Sequence, residues 1–127
     1  MIKIQIIHSD EGTSNAVQEA LGQHFTLMQA PVNESDPFPQ DFSPSDLLIL
    51  DFDLPDVAET LRLIRNQGVD TETILLLPPK YPFKTVSALF RFGIQECVVK
   101  PFEQEDLLRS VRKVKGLPEP EVQQKEE

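Results

Sequence analysis

The sequence predicts an α/β fold, a three-layer doubly wound sandwich in which helices cover a five-stranded parallel sheet. Three observations predict it. The runs Leu47-Leu48-Ile49-Leu50 and Ile74-Leu75-Leu76-Leu77 are apolar without alternation, which suits strands covered on both faces, as in parallel sheets. Strand-like segments alternate with connections five times along the chain, and right-handed crossovers turn that order into a doubly wound sheet. A length of 127 residues allows one domain with a real core and is short for two.

Residues 2 to 7, Ile-Lys-Ile-Gln-Ile-Ile, alternate and then become continuously apolar, as a strand does on entering a sheet, and the strand ends at His8. Thr13-Ser14-Asn15 offers N-caps for a first helix carrying Ala16, Val17, Ala20 and Leu21 at helical spacing as far as Gly22. Phe25 to Met28 make a short second strand. Pro31, Pro37, Pro39 and Pro44 disfavour a regular helix over residues 31 to 45, leaving a loop or one short turn there. The third strand ends at Asp51, and a helix from near Asp56 to Gly68 presents Val57, Leu61 and Ile64 on one face. Thr73 to Leu77 form the fourth strand, halted by Pro78-Pro79. A helix over Thr85 to Phe92 buries Val86, Leu89 and Phe90 and closes at Gly93. Ile94 to Val99 give the fifth strand, and residues 103 to 115 the last helix, acidic at its start and basic at its end. The domain is therefore expected over residues 1–116, with residues 117–127 an acidic, Pro-containing tail or linker.

The balance of charge bounds the partners. With 21 Asp+Glu against 12 Lys+Arg, the net charge of −9 argues against a nucleic-acid backbone and for cations or basic protein faces. Cys97 is the single cysteine, which rules out an intramolecular disulfide and a cysteine-based zinc site. The amino-terminal segment lacks the apolar run of a signal peptide or membrane span, so a cytoplasmic, membrane-free setting is expected.

The most informative segment is Asp46-Leu47-Leu48-Ile49-Leu50-Asp51-Phe52-Asp53-Leu54-Pro55, a buried strand that delivers a carboxylate to its carboxyl end. In parallel sheets ligands gather there. This segment, together with Phe92-Gly93-Ile94-Gln95-Glu96-Cys97-Val98-Val99-Lys100-Pro101-Phe102, resembles the receiver domain of bacterial response regulators (CheY-like), over about residues 2 to 115. The resemblance implies a flavodoxin-like (βα)5 fold with its second helix short or irregular, and a non-enzymatic role in two-component phosphorelay signalling through protein–protein contacts. In that family a strand-end aspartate accepts a phosphoryl group from a histidine kinase, the backbone carbonyl two places later ligates magnesium, and a lysine pairs with the phosphoryl oxygens. By position these are Asp51, Asp53 and Lys100. The family's cis bond makes Lys100-Pro101 a cis-proline candidate.

The chain departs from the family at its working positions. The acidic pair expected at the end of the first strand falls on His8 and Ser9. A one-residue shift would bring Asp10 inward as a metal ligand, although the helix pattern from Ala16 fits best without it. The hydroxyl residue after the fourth strand is replaced by Pro78 and the aromatic switch residue by Cys97. Together these imply a weak Mg2+ site and a pseudo-receiver variant, a contact module independent of phosphorylation, beside the reading of Asp51 as a working phosphoacceptor. The Asp53 side chain reads mainly as a solvated loop residue and Cys97 as a small apolar strand residue. His8 is expected to be buried or capping rather than a transition-metal ligand. A Lys100–Asp51 ion pair without chemistry would hold the site closed without phosphate.

An enzymatic alternative rests on Asp51 and Asp53, two apart as in the first motif of haloacid-dehalogenase phosphatases. That family wants Thr or Val where Pro55 stands and begins its domain at this strand. A flavin-nucleotide domain would place its phosphate loop at Ser9 to Asn15, where Asp10 and Glu11 repel phosphate. By the receiver resemblance, the last helix, fourth helix and fifth strand contact an output domain or a second copy, with Arg109, Arg112, Lys113 and Lys115 facing a partner or solvent. Phe38 and Phe42 are either exposed anchors of a recognition loop or caps on the core.

Overall fold

Parallel strands buried on both faces organise the chain. The computed structural model describes residues 2–118. In chain order the elements are β1 (Lys3–His8), α1 (Glu11–Leu21), β2 (Thr26–Pro31), β3 (Leu47–Asp51), α2 (Val57–Asn66), β4 (Thr73–Leu77), α3 (Phe83–Phe90), β5 (Ile94–Val99) and α4 (Gln104–Lys115). The sheet runs β2-β1-β3-β4-β5, and every neighbouring pair is parallel. This is the predicted three-layer sandwich, with β3 at the centre and the order reversing about β1. The expected tail lies, from residue 119 onward, outside the described residues.

Period-two alternation divides the apolar side chains between two cores. Ile7, Leu48, Leu50, Leu75 and Leu77 pack under α2 and α3 with Leu61, Ile64 and Leu89. Ile4, Ile6, Leu47, Ile49, Ile74 and Leu76 pack under α1 and α4 with Val17, Leu21, Leu107 and Val111. Because β3 and β4 are fully buried along their length, neither could alternate with polar residues, which is why both read as apolar runs.

Three elements differ from the expectation. Asp10, rather than a residue of Thr13–Asn15, caps α1, so that helix starts earlier. The second strand extends from Thr26 to Pro31, because pairing with β1 continues to His8 opposite Pro31. In α3 the extended backbone of Pro82 sets the start two residues early, and Arg91 ends the helix ahead of the positive-φ turn at Gly93.

The β2–β3 connection contains no helix, so among the described residues four helices rather than five surround the sheet. Its backbone is held from the sheet instead. Gln5, fully buried, donates to the Ser43 carbonyl at 2.7 Å and accepts the Ser43 N–H at 3.0 Å. Thr60 of α2 donates to the Pro37 carbonyl at 2.7 Å. Phe38 and Phe42, edge to face at 5.4 Å, pack partly buried against the α2/α3 core, so they cap it. Arg65 reaches from α2 to the carbonyls of Val69, Thr71 and Phe92. A long guanidinium thereby ties the α2–β4 turn to the turn before β5.

Leu61 has no exposed surface and faces the core, whereas its neighbour Arg62 pairs with Glu59 on the outer face of α2. Leu61→Ala is expected to cost about 2–5 kcal/mol in urea unfolding, while Arg62→Ala leaves the midpoint essentially in place.

Candidate functional site

The carboxyl end of the central strand is where a parallel sheet exposes a crevice, and Asp51 ends β3 there. Its carboxylate is 1% exposed and so must be compensated inside the protein. Lys100, immediately after β5, does this: its Nζ lies 2.8 Å from Asp51 Oδ1 and 2.8 Å from Asp53 Oδ2. The backbone places both partners. The Lys100 N–H donates to the Leu77 carbonyl at 2.7 Å, carrying the ladder one residue past β5. The Asp53 N–H donates to Asp51 Oδ1 at 3.1 Å, curling the following loop back over the strand end. The Lys100-Pro101 bond is cis, as the resemblance implied.

Burial alone would lower the Lys100 pKa, but the hydrogen bonds to Asp51 and Asp53 outweigh it and hold the ammonium above its ordinary value. The lysine is therefore a committed cation. The Asp53 side chain, expected to be solvated, is exposed and is also the second anchor of that cation.

The altered positions separate into those at the site and those away from it. His8 ends β1 and is buried, and among the described residues neither of its ring nitrogens is hydrogen-bonded and the buried Asp51 Oδ2 is likewise unpartnered. Ser9 is exposed. Asp10 does not enter the strand: its oxygens accept from the Gly12 N–H at 3.1 Å, the Thr13 N–H at 3.3 Å and the Thr13 hydroxyl at 3.2 Å. Those bonds, the Gly12 N–H first and the Thr13 hydroxyl next, hold its pKa below the usual carboxylate range, and Lys100 adds a smaller pull. Asp10, Lys100, Pro79 and Phe102 line a cavity of about 360 Å³ beside the ion pair. Pro78 is half-buried, and Cys97 packs against the α2/α3 core, on the opposite sheet face from Asp51, where burial pushes its thiol up to about 11. His24 is exposed beside Phe25, away from His8.

Magnesium favours one or two carboxylates with waters in octahedral array. Here the one buried carboxylate shares an oxygen with Lys100, Asp53 is paired with the same lysine, Asp10 caps a helix and His8 presents nitrogen. Among the described residues no group of three His, Cys, Asp or Glu side chains is arranged to hold a metal. This donor set does not fit a firm magnesium site.

Sequence reasoning located Asp51 and Lys100 but not the dual pairing of Lys100, nor the clamp by Gln5. An isolated glutamine amid Ile-Lys-Ile-Gln-Ile-Ile reads as the outward side of a half-covered strand; the loop that satisfies it lies 38 residues away.

No family model matches the chain. The transcriptional regulatory protein CiaR of Streptococcus pneumoniae is 29% identical over 109 residues, covering 84% of this chain and 48% of that protein. The chain thus spans about half the length of the curated relative it matches. The response regulator DrrB of Thermotoga maritima, an OmpR/PhoB homologue, is 26% identical with a TM-score of 0.72 over 91% of this chain and 53% of that one. Its BeF3-activated receiver domain is likewise 26% identical, with a TM-score of 0.73 over 91% and 98%. A two-component response regulator from Clostridium difficile, 18% identical with a TM-score of 0.75 over 91% and 97%, shares the fold.

Removing Lys100 strands a buried carboxylate. Lys100→Met is expected to destabilise the chain by about 2–3 kcal/mol, and adding Asp51→Asn should recover part of that, with a coupling above about 1 kcal/mol in a double-mutant cycle. A lysine held above its ordinary pKa contributes fully below the unfolded value, about 10.4, and its contribution fades as pH rises through the folded value. The gap between the parent and Lys100→Met should accordingly be flat from about pH 7 to 10 and narrow beyond that.

Proposed function

We propose that this chain, a CheY-like response-regulator receiver domain of two-component signalling, works as a contact module whose pocket is held closed without a phosphoryl group. One observation carries the reading: Lys100 already binds two carboxylates, Asp51 and Asp53, at 2.8 Å each. In a phosphoaccepting pocket the lysine is needed for the incoming phosphoryl oxygens, and a cation must offset the charge that gathers around phosphorus. Here the Asp53 carboxylate occupies the ammonium, and His8 and Ser9 stand where a metal's acidic ligands belong. Pro78 removes both a hydroxyl and an N–H from the loop after β4.

The surface of α3, β5 and α4 supports signalling by contact. Phe83 is 76% exposed and Phe90, seven residues on and thus on the same side of α3, is 46% exposed. Val99 exposes apolar surface on β5, the outer strand of the sheet. Basic groups of α4 are partly spent within the chain, Lys113 on Glu96 and Lys115 on Glu72, so the apolar residues are the stronger anchors. In this reading the partner is a histidine kinase or another signalling protein, an output domain or a second copy, in the cytoplasm. No described helix is long and apolar enough to cross a membrane.

A second reading keeps Asp51 as a phosphoacceptor, favoured by the unpartnered Oδ2, an oxygen still free to act as nucleophile. The haloacid-dehalogenase alternative loses its support, since Asp51 ends the third strand of a receiver sheet and Asp53, its required general acid, is ion-paired with Lys100.

Acetyl phosphate or beryllofluoride across a magnesium titration separates the readings. The expected result is no added phosphoryl mass and no saturable amide shifts around Asp51, with Asp51→Asn binding partners as the parent does. A phosphoryl adduct lost in Asp51→Asn would establish the second reading. Phe83→Ser with Phe90→Ser should weaken partner binding by at least about tenfold while leaving the fold intact.

A further inference from the structure

A cavity of about 560 Å³ opens at the amino end of the sheet, the end opposite Asp51. Phe38, Phe42 and Ser45 of the β2–β3 connection form one wall, and Gly68, Val69 and Asp70 of the α2–β4 turn form the other. These two segments lead into neighbouring strands, β3 at Leu47 and β4 at Thr73, so the cavity shares no residue with the Lys100 ion pairs. Its volume falls in the range of small-ligand sites, about 300–1,000 Å³.

A gap between apolar walls closes unless each wall is held from behind, and here both are. Gln5 fixes the first wall through both backbone groups of Ser43, and its Nε2 also donates to the Ser45 hydroxyl at 3.2 Å. Arg65 fixes the second, donating to the Val69 carbonyl at 3.2 Å and the Thr71 carbonyl at 3.0 Å. Gly68, at φ +84°, leaves open space where a side chain would stand. Asp70 is the one charged side chain among the lining residues. Among the described residues its carboxylate has no hydrogen bond or ion pair, and Arg65, whose guanidinium is spent on carbonyls, acts on it through space alone.

Phenyl rings beside an unpaired carboxylate select for an organic cation. The ring quadrupole and the carboxylate both attract positive charge, while the rings cover an apolar body. An anion would meet Asp70 in a chain of net charge −9, and a neutral apolar guest would desolvate the carboxylate without answering it. We propose that this cavity binds a small organic cation, a primary ammonium carried on an aromatic body, with Phe38 and Phe42 covering the body and Asp70 pairing with the charge. The site is separate from the carboxyl end of the sheet, and the proposal stands whether or not Asp51 is phosphorylated.

Amide NMR titration of the chain with tryptamine tests it, with indole-3-acetate as the same ring carrying the opposite charge and putrescine as ammonium without a ring. Tryptamine should give saturable shifts at residues 67 to 71 and at Ser43 and Ser45, leaving the amides around Asp51 in place. Indole-3-acetate and putrescine should each bind at least about tenfold more weakly. Asp70→Asn, at an exposed and unbonded side chain, should weaken tryptamine at least about threefold with the fold intact, and Phe83→Ser should leave it unchanged. No saturation by about 5 mM tryptamine, equal binding of indole-3-acetate or putrescine, undiminished affinity in Asp70→Asn, or shifts centred elsewhere would each overturn the assignment.

Discussion

A carboxylate buried at the end of the central strand has to be neutralised from within, and the bond from Lys100 to Asp51 is the constraint around which the carboxyl end of the sheet is arranged. The cost of burying one charge exceeds what any single apolar contact returns, so the partner must arrive at hydrogen-bonding distance. That requirement fixes β5: its ladder with β4 carries one residue beyond Val99, through the Lys100 N–H to the Leu77 carbonyl, before the chain leaves the sheet. It also fixes the loop after β3, where the Asp53 N–H and the Asp53 carboxylate come from one residue and hold opposite partners of the same ion pair. The loop thus cannot move without loosening the charge compensation of the core strand.

At the other margin of the sheet, the missing helix between β2 and β3 poses the opposite problem, an apolar face with irregular backbone laid over it. Loops over a core carry N–H and C=O groups that must be paired. Gln5 solves this from below, donating to and accepting from Ser43, while Thr60 reaches the Pro37 carbonyl from α2. Phe38 and Phe42 then supply the apolar cover that a helix face would have given. Prolines, which remove donors, reduce the number of groups to be satisfied in this segment.

How much of this could be read from the chain depends on the range of the interaction. β3 and β4 were legible because burial on both faces leaves a local mark, a run of branched apolar residues. The start of α1 was not, because Asp10 and the Thr13–Asn15 run are all competent caps and only the geometry leaving β1 chooses between them. Asp51 and Lys100 could be paired through the resemblance, but the share of Lys100 taken by Asp53 could not, since 47 residues separate them and an Asp beginning a loop has no local signature of an ion pair. Gln5 was missed for the same reason.

The residue at the end of β1 follows from the same electrostatics. With Asp51 and Asp53 facing one ammonium, the pocket already carries more negative charge than its lysine can offset. A further carboxylate at position 8, in the interior beside Asp51, would add a charge that a proton or a bound cation would have to compensate. A histidine there adds no carboxylate to the pocket, at the expense of two idle nitrogens. The lysine bridge and the imidazole are therefore two parts of one solution: His8 adds no further carboxylate beside Asp51, and Asp53 shares the lysine that offsets Asp51.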